Sequence, residues 1–465
     1  MICANKNNRE IEMTNINTLF RNILHVNTAK FTKARFEVDS KGQYHLYVYG
    51  VVHRKHDNCC PICGKKGKPY DRRENVTRSW RCMDFGGLIV HIESDAKRIE
   101  CPEHGILSPA VPWAYSGSRF TKDFDRSVAW LATSLSKSSV AEYMRIDWQT
   151  VGRCISRTLD DIEPDIKKRL DGLVNIGIDE TSYRKGYKYI TVIVNHDTNS
   201  VVWLHNGHGK SILEKFYEEL SEEQRASIKV VTGDGARWIT DCVKQYTPDC
   251  VRCMDSFHVV EWAMTALDDV RKESWHDAND IVKAIEKGYK ASRGRPRADD
   301  REAKKLKKAK DCASAVKGSS FAVGKAPEHL TKNQQTTLEG IRKSNSRLYR
   351  AYEMKETLRL ILKSDNVDEA ENALKSWFYW ATHSRIDAFK ELAKKVKRNM
   401  PFILNTIRIG LSNARIESTN NRIKLIIRRS FGFRNLDSMF SMIYLVCSDL
   451  IIPLPNRPNP LSNVA

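Results

Sequence analysis

Three acidic residues, Asp179, Asp234 and Glu417, stand where carboxylates could hold a divalent cation. Asp179 closes an apolar run (Asn175-Ile-Gly-Ile-Asp179-Glu), and Asp234 closes another (Lys229-Val-Val-Thr-Gly-Asp234-Gly). A carboxylate at the end of a buried strand is costly unless a cation or another partner compensates it. One such residue could cap a loop. Two, on runs expected to lie side by side, suggest a site for Mg²⁺ or Mn²⁺, which prefer oxygen ligands. Asp255, after the strand-like Cys250-Val-Arg-Cys-Met, competes for the second position. Asp234 is preferred because Gly233 and Gly235 leave room for close approach of metal and phosphate. Asp255 instead shares its turn with His258, which suggests a paired supporting role. Glu417 lies in Ser-Asn-Ala-Arg-Ile-Glu417-Ser-Thr-Asn-Asn-Arg-Ile-Lys-Leu-Ile-Ile-Arg-Arg429. On a helix it shares a face with Asn413, Asn421, Lys424 and Arg428, while Ile416, Ile423 and Ile427 form the buried stripe. On periodicity alone, the commoner arrangement is an exposed Glu paired with Lys or Arg.

A different metal chemistry is written near the N-terminus. Cys60-Pro-Ile-Cys63-Gly and Cys101-Pro-Glu-His104-Gly are two tight turns, each ending in Gly and separated by strand-like sequence. Cys60, Cys63, Cys101 and His104 make a Cys3His set that selects one zinc ion, and four protein ligands make that site structural. Cys59 could replace Cys60, and Cys82 reads as a core residue. A further pair, Cys250 and Cys253, falls in a strand-like run, where a spacing of three sends the side chains to opposite faces.

These residues need elements to position them. Residues 118–171 read as three short helices. Phe124, Val128 and Leu131 line the first, 139–144 form the second, and the third starts after Asp147 as N-cap with Val151, Ile155 and Leu159 inward. Gln149, Thr150, Arg153 and Arg157 then face outward, with side-chain types that reach base edges and phosphates. That is a helix-turn-helix reading. From residue 172 the pattern becomes three strands in hairpin order, a helix, a strand, a helix and a strand, a mixed α/β sheet ending near 258. A helical, Lys-rich stretch covers 259–409 and includes SRGRPRADDREAKKLKKAKD. Residues 410–452 carry the Glu417 helix and an apolar helix, and the Pro-rich 453–465 read as a disordered tail. At the other end, 1–40 form an N-terminal segment and 41–117 the β-rich zinc ribbon. There are no internal repeats.

Charge narrows the partners. Lys and Arg total 77 against 57 Asp and Glu, a net charge of +20. Such an excess favours a polyanion, because basic groups on phosphates release condensed counterions. Taken with the ribbon and the three helices, it points to double-stranded DNA over a membrane surface. No apolar signal core opens the chain, and the stretch around 439–454 is interrupted by Ser448 and Asp449. Twelve cysteines in a chain without an export signal fit a reducing cytoplasm better than a disulfide framework.

At these residues the chain resembles the "ISL-three" group of bacterial insertion-sequence transposases. The markers are CPICG, WQTVGRCISR, GIDETSYRKGYKYITVIV, VTGDGARW, MDSFHVVEW, LYRAYEMKETLR, EAENALKSWFYWA and SNARIESTNNRIKLIIRRSFGFRN, in that order. The resemblance implies an RNase H-like catalytic core interrupted by an all-helical insertion, with Asp179, Asp234 and Glu417 as catalytic triad holding two Mg²⁺ (or Mn²⁺) ions. It implies that Asp255 and His258 support that site from outside the metal shell. It also implies cleavage and strand transfer at terminal inverted repeats, a homodimer or larger assembly on element and target DNA, and a nucleoid location. His104 departs from the pattern, where Cys is commoner. Rival readings are a DNA-binding regulator without catalysis and an RNase H-like nuclease without strand transfer.

Overall fold

The computed structural model describes residues 15–24, 26–288, 301–411 and 414–457; the side chains of 72–75, 414 and 415 are not described. The chain divides into two compact units. One comprises the residues up to Ile166 and from Ile423 onward, and the other is Lys167–Arg422.

The first unit opens with α1 (Ile16–Ile23) and a sheet of β1 (Ala29–Val38), β2 (Tyr44–Val52), β3 (Lys68–Arg81), β4 (Ile89–Cys101) and the short β5 (Gly105–Leu107). Strand order is β1-β2-β4-β3, with β5 on β4. The period-two alternation in YHLYVYG sends Leu46 and Val48 inward, where they meet Phe20, Phe31, Trp80, Ile92 and Trp113. Because β1 pairs with β2 along its whole length, residues 29–38 belong to the ribbon sheet. The boundary read at residue 40 is therefore corrected.

Three helices follow: α2 (Lys122–Ser134), α3 (Lys137–Met144) and α4 (Trp148–Ile162). Each has a side-chain N-cap, namely Thr121, Ser136 and Asp147, the last accepting from Thr150 N–H at 2.9 Å. Val151 and Ile155 are fully buried, as the periodicity predicts.

The second unit holds β6 (Asn175–Arg184), β7 (Lys188–Asn195), β8 (Ser200–Asn206), α5 (Lys210–Glu219), α6 (Glu222–Ser227), β9 (Val230–Gly233), α7 (Arg237–Tyr246) and β10 (Val251–Met254). The sheet order is β10-β9-β6-β7-β8. β6, β7 and β8 are antiparallel neighbours, while β9 runs parallel to β6 and β10 parallel to β9. The two parallel pairings bring the C-terminal ends of β9 and β10 together, just before Asp234 and Asp255.

Helices then take over: α8 (Ser256–Gly288), α9 (Arg301–Gly318), α10 (Ser320–Gly324), α11 (Lys332–Ser344), α12 (Ser346–Ile361), α13 (Val367–His383) and α14 (Asp387–Ile409). They share a core that includes Leu267, Val270, Leu348, Leu358, Trp377 and Phe389. The last of them returns to the sheet, where Thr406 Oγ1 donates to the Met254 carbonyl at 2.6 Å and Asn405 Nδ2 to that of Arg252 at 3.0 Å. The basic run continues on α9, whose Lys304, Lys305, Lys307, Lys308 and Lys310 are exposed; residues 292–300 of that run lie outside the described residues.

Helix α15 (Ala414–Arg429) carries Glu417, and α16 (Leu436–Cys447) follows. Residues 412 and 413, and with them Asn413, lie outside the described residues. The buried stripe of α15 is Ile416, Ile423 and Ile426, with Ile427 half-buried. Of the span 410–452, read as one piece with the core, the residues up to Arg422 stay in the second unit, whereas Ile423 onward belongs to the first, where α16 packs on α4 and α2. The tail reading changes too. Pro453 is buried, and Pro453–Pro455 line an apolar cavity of about 940 Å³ with Ile16, Leu19, Phe20 and Ile23. Residues 458–465 lie outside the described residues.

Candidate functional site

The two Cys-bearing turns near the N-terminus close on each other. Ligand atoms of Cys60, Cys63, Cys101 and His104 all lie within 4.8 Å of one another. Cys60 Sγ is 3.7 Å from His104 Nδ1, Cys101 Sγ is 3.6 Å from the same nitrogen, and Cys63 Sγ is 3.7 Å from Cys101 Sγ. A tetrahedron with zinc–sulfur bonds of about 2.3 Å has edges of about 3.8 Å, so this donor set fits the ion. Gly64 and Gly105 have φ of +71° and +68°, left-handed turns that bring each second ligand back toward the first. Cys59 faces the Asp57 carbonyl and is not in the set, and Cys82 is a core residue beside Trp80. Cys63→Ser should drop bound zinc from about one ion per chain to none and unfold the β3–β5 region. Elemental analysis and amide exchange of freshly prepared protein check this; full zinc in the variant would refute the ligand set.

The carboxylates gather at the sheet. Asp179 sits in β6, and burial pushes its carboxyl up to about 6. Asp255 and Asp234 act in the same direction, while the Glu180 N–H and His258 oppose it. Asp234 follows β9, its Oδ1 accepting from Ala236 N–H at 2.9 Å. Asp255 follows β10, is buried, and accepts from Phe257 N–H at 2.9 Å. His258 Nε2 lies 3.7 Å from Asp255 Oδ2, and its Nδ1 lies 3.1 Å from Glu261 Oε2. A buried acid held among other acids is what a cation would relieve, and an oxygen donor set suits Mg²⁺ or Mn²⁺.

Helix α15, which carries Glu417, meets this sheet through Ile416 and Asn420. A Cβ on Gly177 would come within 2.0 Å of Ile416 Cδ1 and 2.7 Å of His196 Nε2, so β6 has a glycine where the helix lands. One turn on, Asn420 Nδ2 donates to Asp179 Oδ2. Glu417 is exposed, about 60° of helix rotation round from Asn420. Among the described residues, the ribbon ligands are the one group of three or more placed to hold a metal ion; Asp179, Asp234 and Glu417 are not drawn together in that way. Gly177→Ala should cost about 1–3 kcal/mol, the usual scale of overpacking, read as a lower melting temperature; unchanged melting would mean Ile416 moves aside freely.

Gly233 and Gly235 also have a packing role. A Cβ on Gly235 would meet Trp262 at 2.5 Å, and one on Gly233 would meet the Ile178 carbonyl at 3.2 Å. Packing requires a glycine at 235 and favours one at 233, where a Cβ would fit only if its neighbours gave by a few tenths of an ångström.

Three contributors escaped the sequence reading. Asn420, not Asn421, meets Asp179. Arg252 is fully buried, donates to the Asp234 carbonyl, and is pushed down to about 10 by burial, with Asp234 opposing. Lys395 on α14 lies 3.7 Å from the Trp262 ring centre and feels the fields of Asp234 and Glu261. An unpaired Asn or Lys on a helix carries no signal of such distant partners.

On α4, Gln149 and Arg153 are exposed as expected. Thr150 is buried, with its hydroxyl donating to Asp147 at 2.5 Å. Arg157 is turned inward onto the fully buried Asp125, at 2.7 and 2.8 Å. Neither Thr150 nor Arg157 faces solvent as a base reader would. Asn421, Lys424 and Arg428 are exposed along α15. No helix among the described residues is long and apolar enough to cross a membrane.

Comparison with known proteins agrees in order and extent. A family described as a transposase matches residues 176–443, and the helix-turn-helix domain of transposase family ISL3 matches 109–158. The transposase for insertion sequence element IS1557 of Mycobacterium tuberculosis is 41% identical over 403 residues, covering 86% of this chain and 88% of its own length. The transposase for IS1001 of Bordetella parapertussis is 24% identical over 393 residues, 83% and 87% of the two chains. With more than half its length matched by the family and that degree of identity, the chain belongs to the ISL3 family of transposases.

Proposed function

We propose that the chain cleaves DNA at the ends of an insertion sequence and joins those ends to target DNA, with Asp179, Asp234 and Glu417 as its catalytic carboxylates. The observation that carries this is the gathering of Asp179, Asp234 and Asp255 at one sheet, with α15 seated on Gly177 beside them. The strand order β10-β9-β6-β7-β8 supports reading the sheet as an RNase H-like core, with α8–α14 as its helical insertion.

Two Mg²⁺ or Mn²⁺ ions held by these carboxylates would supply Lewis-acid stabilisation of the attacking and leaving oxygens of an in-line displacement. Asn420 holds the orientation of Asp179 through Oδ2, and Glu180 N–H holds Oδ1. Asp255 caps the start of α8 and faces His258, keeping the floor of the site fixed. Lys395 brings positive charge from the insertion towards Asp234, where a scissile phosphate would need it. Gln149 and Arg153 read terminal repeats, while the lysines of α9 grip flanking or target DNA; two or more copies would be needed to hold two ends. Such a protein would work on the nucleoid in the cytoplasm.

The test is incubation of purified protein with duplexes cut from the element's ends and Mg²⁺. Nicked ends and joined products are expected. Nicking without joining would favour a nuclease, and sequence-preferring binding with neither would favour a regulator.

A further inference from the structure

Helix α15 ends on a turn whose residue choice conflicts with its backbone. Gly432 N–H donates to the Ile427 carbonyl and Phe431 N–H to that of Arg428, each at 3.0 Å. This paired closure places the residue after the helix end in the left-handed region, where glycine is usual because a Cβ crowds the following carbonyl. Here that residue is Phe431, with φ +51°, and the glycine comes one place later. Phe431 is 94% exposed. The fold thus keeps a bulky aromatic in a strained conformation and recovers nothing by burying it. Strain of this kind collects at functional positions.

Contacts of the neighbouring residues locate the turn. Arg429 donates to the Thr133 carbonyl at 2.8 Å, Lys137 Nζ lies 5.3 Å from the Phe433 ring centre, and the Arg434 guanidinium lies 5.9 Å from that of Trp148. Lys137 Nζ also stands 3.5 Å from where a Gly152 Cβ would be. Trp148 and Gly152 mark one edge of α4, and exposed Gln149, Arg153 and Ser156 occupy the adjoining face. The turn therefore runs along the edge of the helix that would enter the major groove. Exposed Arg428 and Arg434 bracket Phe431 with positive charge.

We propose that Phe431 is an apolar wedge that inserts into a base step of the DNA beside the segment read by α4, with Arg428 and Arg434 on the flanking phosphates. This rests on α4 being the recognition helix. Apolar wedges partly unstack a step and bend the duplex around the protein, and stacking on an aromatic ring tolerates any base.

Phe431→Gly separates this role from a structural one, because it removes the ring and relieves the backbone. The full chain and variants are bound to a duplex from the element's end carrying aminopurine at successive positions. Wild type should brighten one step next to the α4 footprint. Phe431→Gly should lose that signal and about ten-fold in affinity, while melting no lower than wild type; Phe431→Trp should keep both. Unchanged affinity and signal in Phe431→Gly would overturn the wedge, as would a lower melting temperature or a change confined to self-association. Arg153→Ala distinguishes the two readings. If it weakens binding and Phe431→Gly does not, only the wedge falls. If wild type does not prefer element ends over unrelated duplex, the reading of α4 falls with it.

Discussion

Asp179→Asn, Asp234→Asn and Glu417→Gln should each abolish cleavage and strand transfer while leaving affinity for element ends unchanged. The substitutions keep shape and remove charge, so they spare the fold and the DNA-reading face. Even residues one shell out from a metal typically cost about 10–100-fold when changed, so losing a ligand should exceed that range. Asp255→Asn should stay within it. Asn caps a helix as well as Asp does, and Phe257 N–H already occupies Oδ1 at 2.9 Å. The contrast between Asp234 and Asp255 is the demanding part, since both follow parallel strands and both act on Asp179. The flanking glycines no longer decide it, because Trp262 and the Ile178 carbonyl account for them. What separates the two is that Asp255 is buried against its own helix start and His258, whereas Asp234 is only half-buried. Single-turnover cleavage with saturating Mg²⁺ is the measurement. Near-normal cleavage by Asp234→Asn with none by Asp255→Asn would exchange their roles.

The succession of strands and helices was legible from the apolar runs and the helical stretches between them, and Asp179 and Asp234 stood out because a carboxylate ending a buried run is costly unless something compensates its charge. The knuckles were legible because their ligands are local, three residues apart on each turn. What periodicity could not supply was the identity of partners distant in the chain. A helical repeat assigns Asn420 and Asn421 to neighbouring faces but does not say which will meet Asp179, 241 residues away. Hydrophobicity marks α16 for burial, yet it does not choose between the sheet of the second unit and the side of α4. The same limit explains Pro453, since a Pro-rich composition does not reveal that α1 and its cavity will receive it.

Arg157 is where that limit has its largest energetic consequence. Arg157→Ala should destabilise the three-helix module by about 3–5 kcal/mol, the scale of stranding a buried charge. Asp125 is fully buried, and its carboxylate accepts two bonds from Arg157 and one from Ser118 Oγ at 3.1 Å. Removing the guanidinium leaves a hydroxyl as the main compensation for a desolvated anion. Arg157→Lys should recover only part of the loss, because an ammonium cannot reproduce the forked pair. Asp125→Asn combined with Arg157→Met should recover more than either single change predicts, since no buried charge is then left unpaired. Arg153→Ala should behave oppositely, with melting unchanged and affinity for element ends reduced, because that side chain is exposed. Thermal melting and DNA binding measured on the same preparations separate the two arginines. If Arg157→Ala melts with wild type yet loses DNA affinity, the inward pairing does not hold in solution and Arg157 belongs with Gln149 and Arg153 on the reading face.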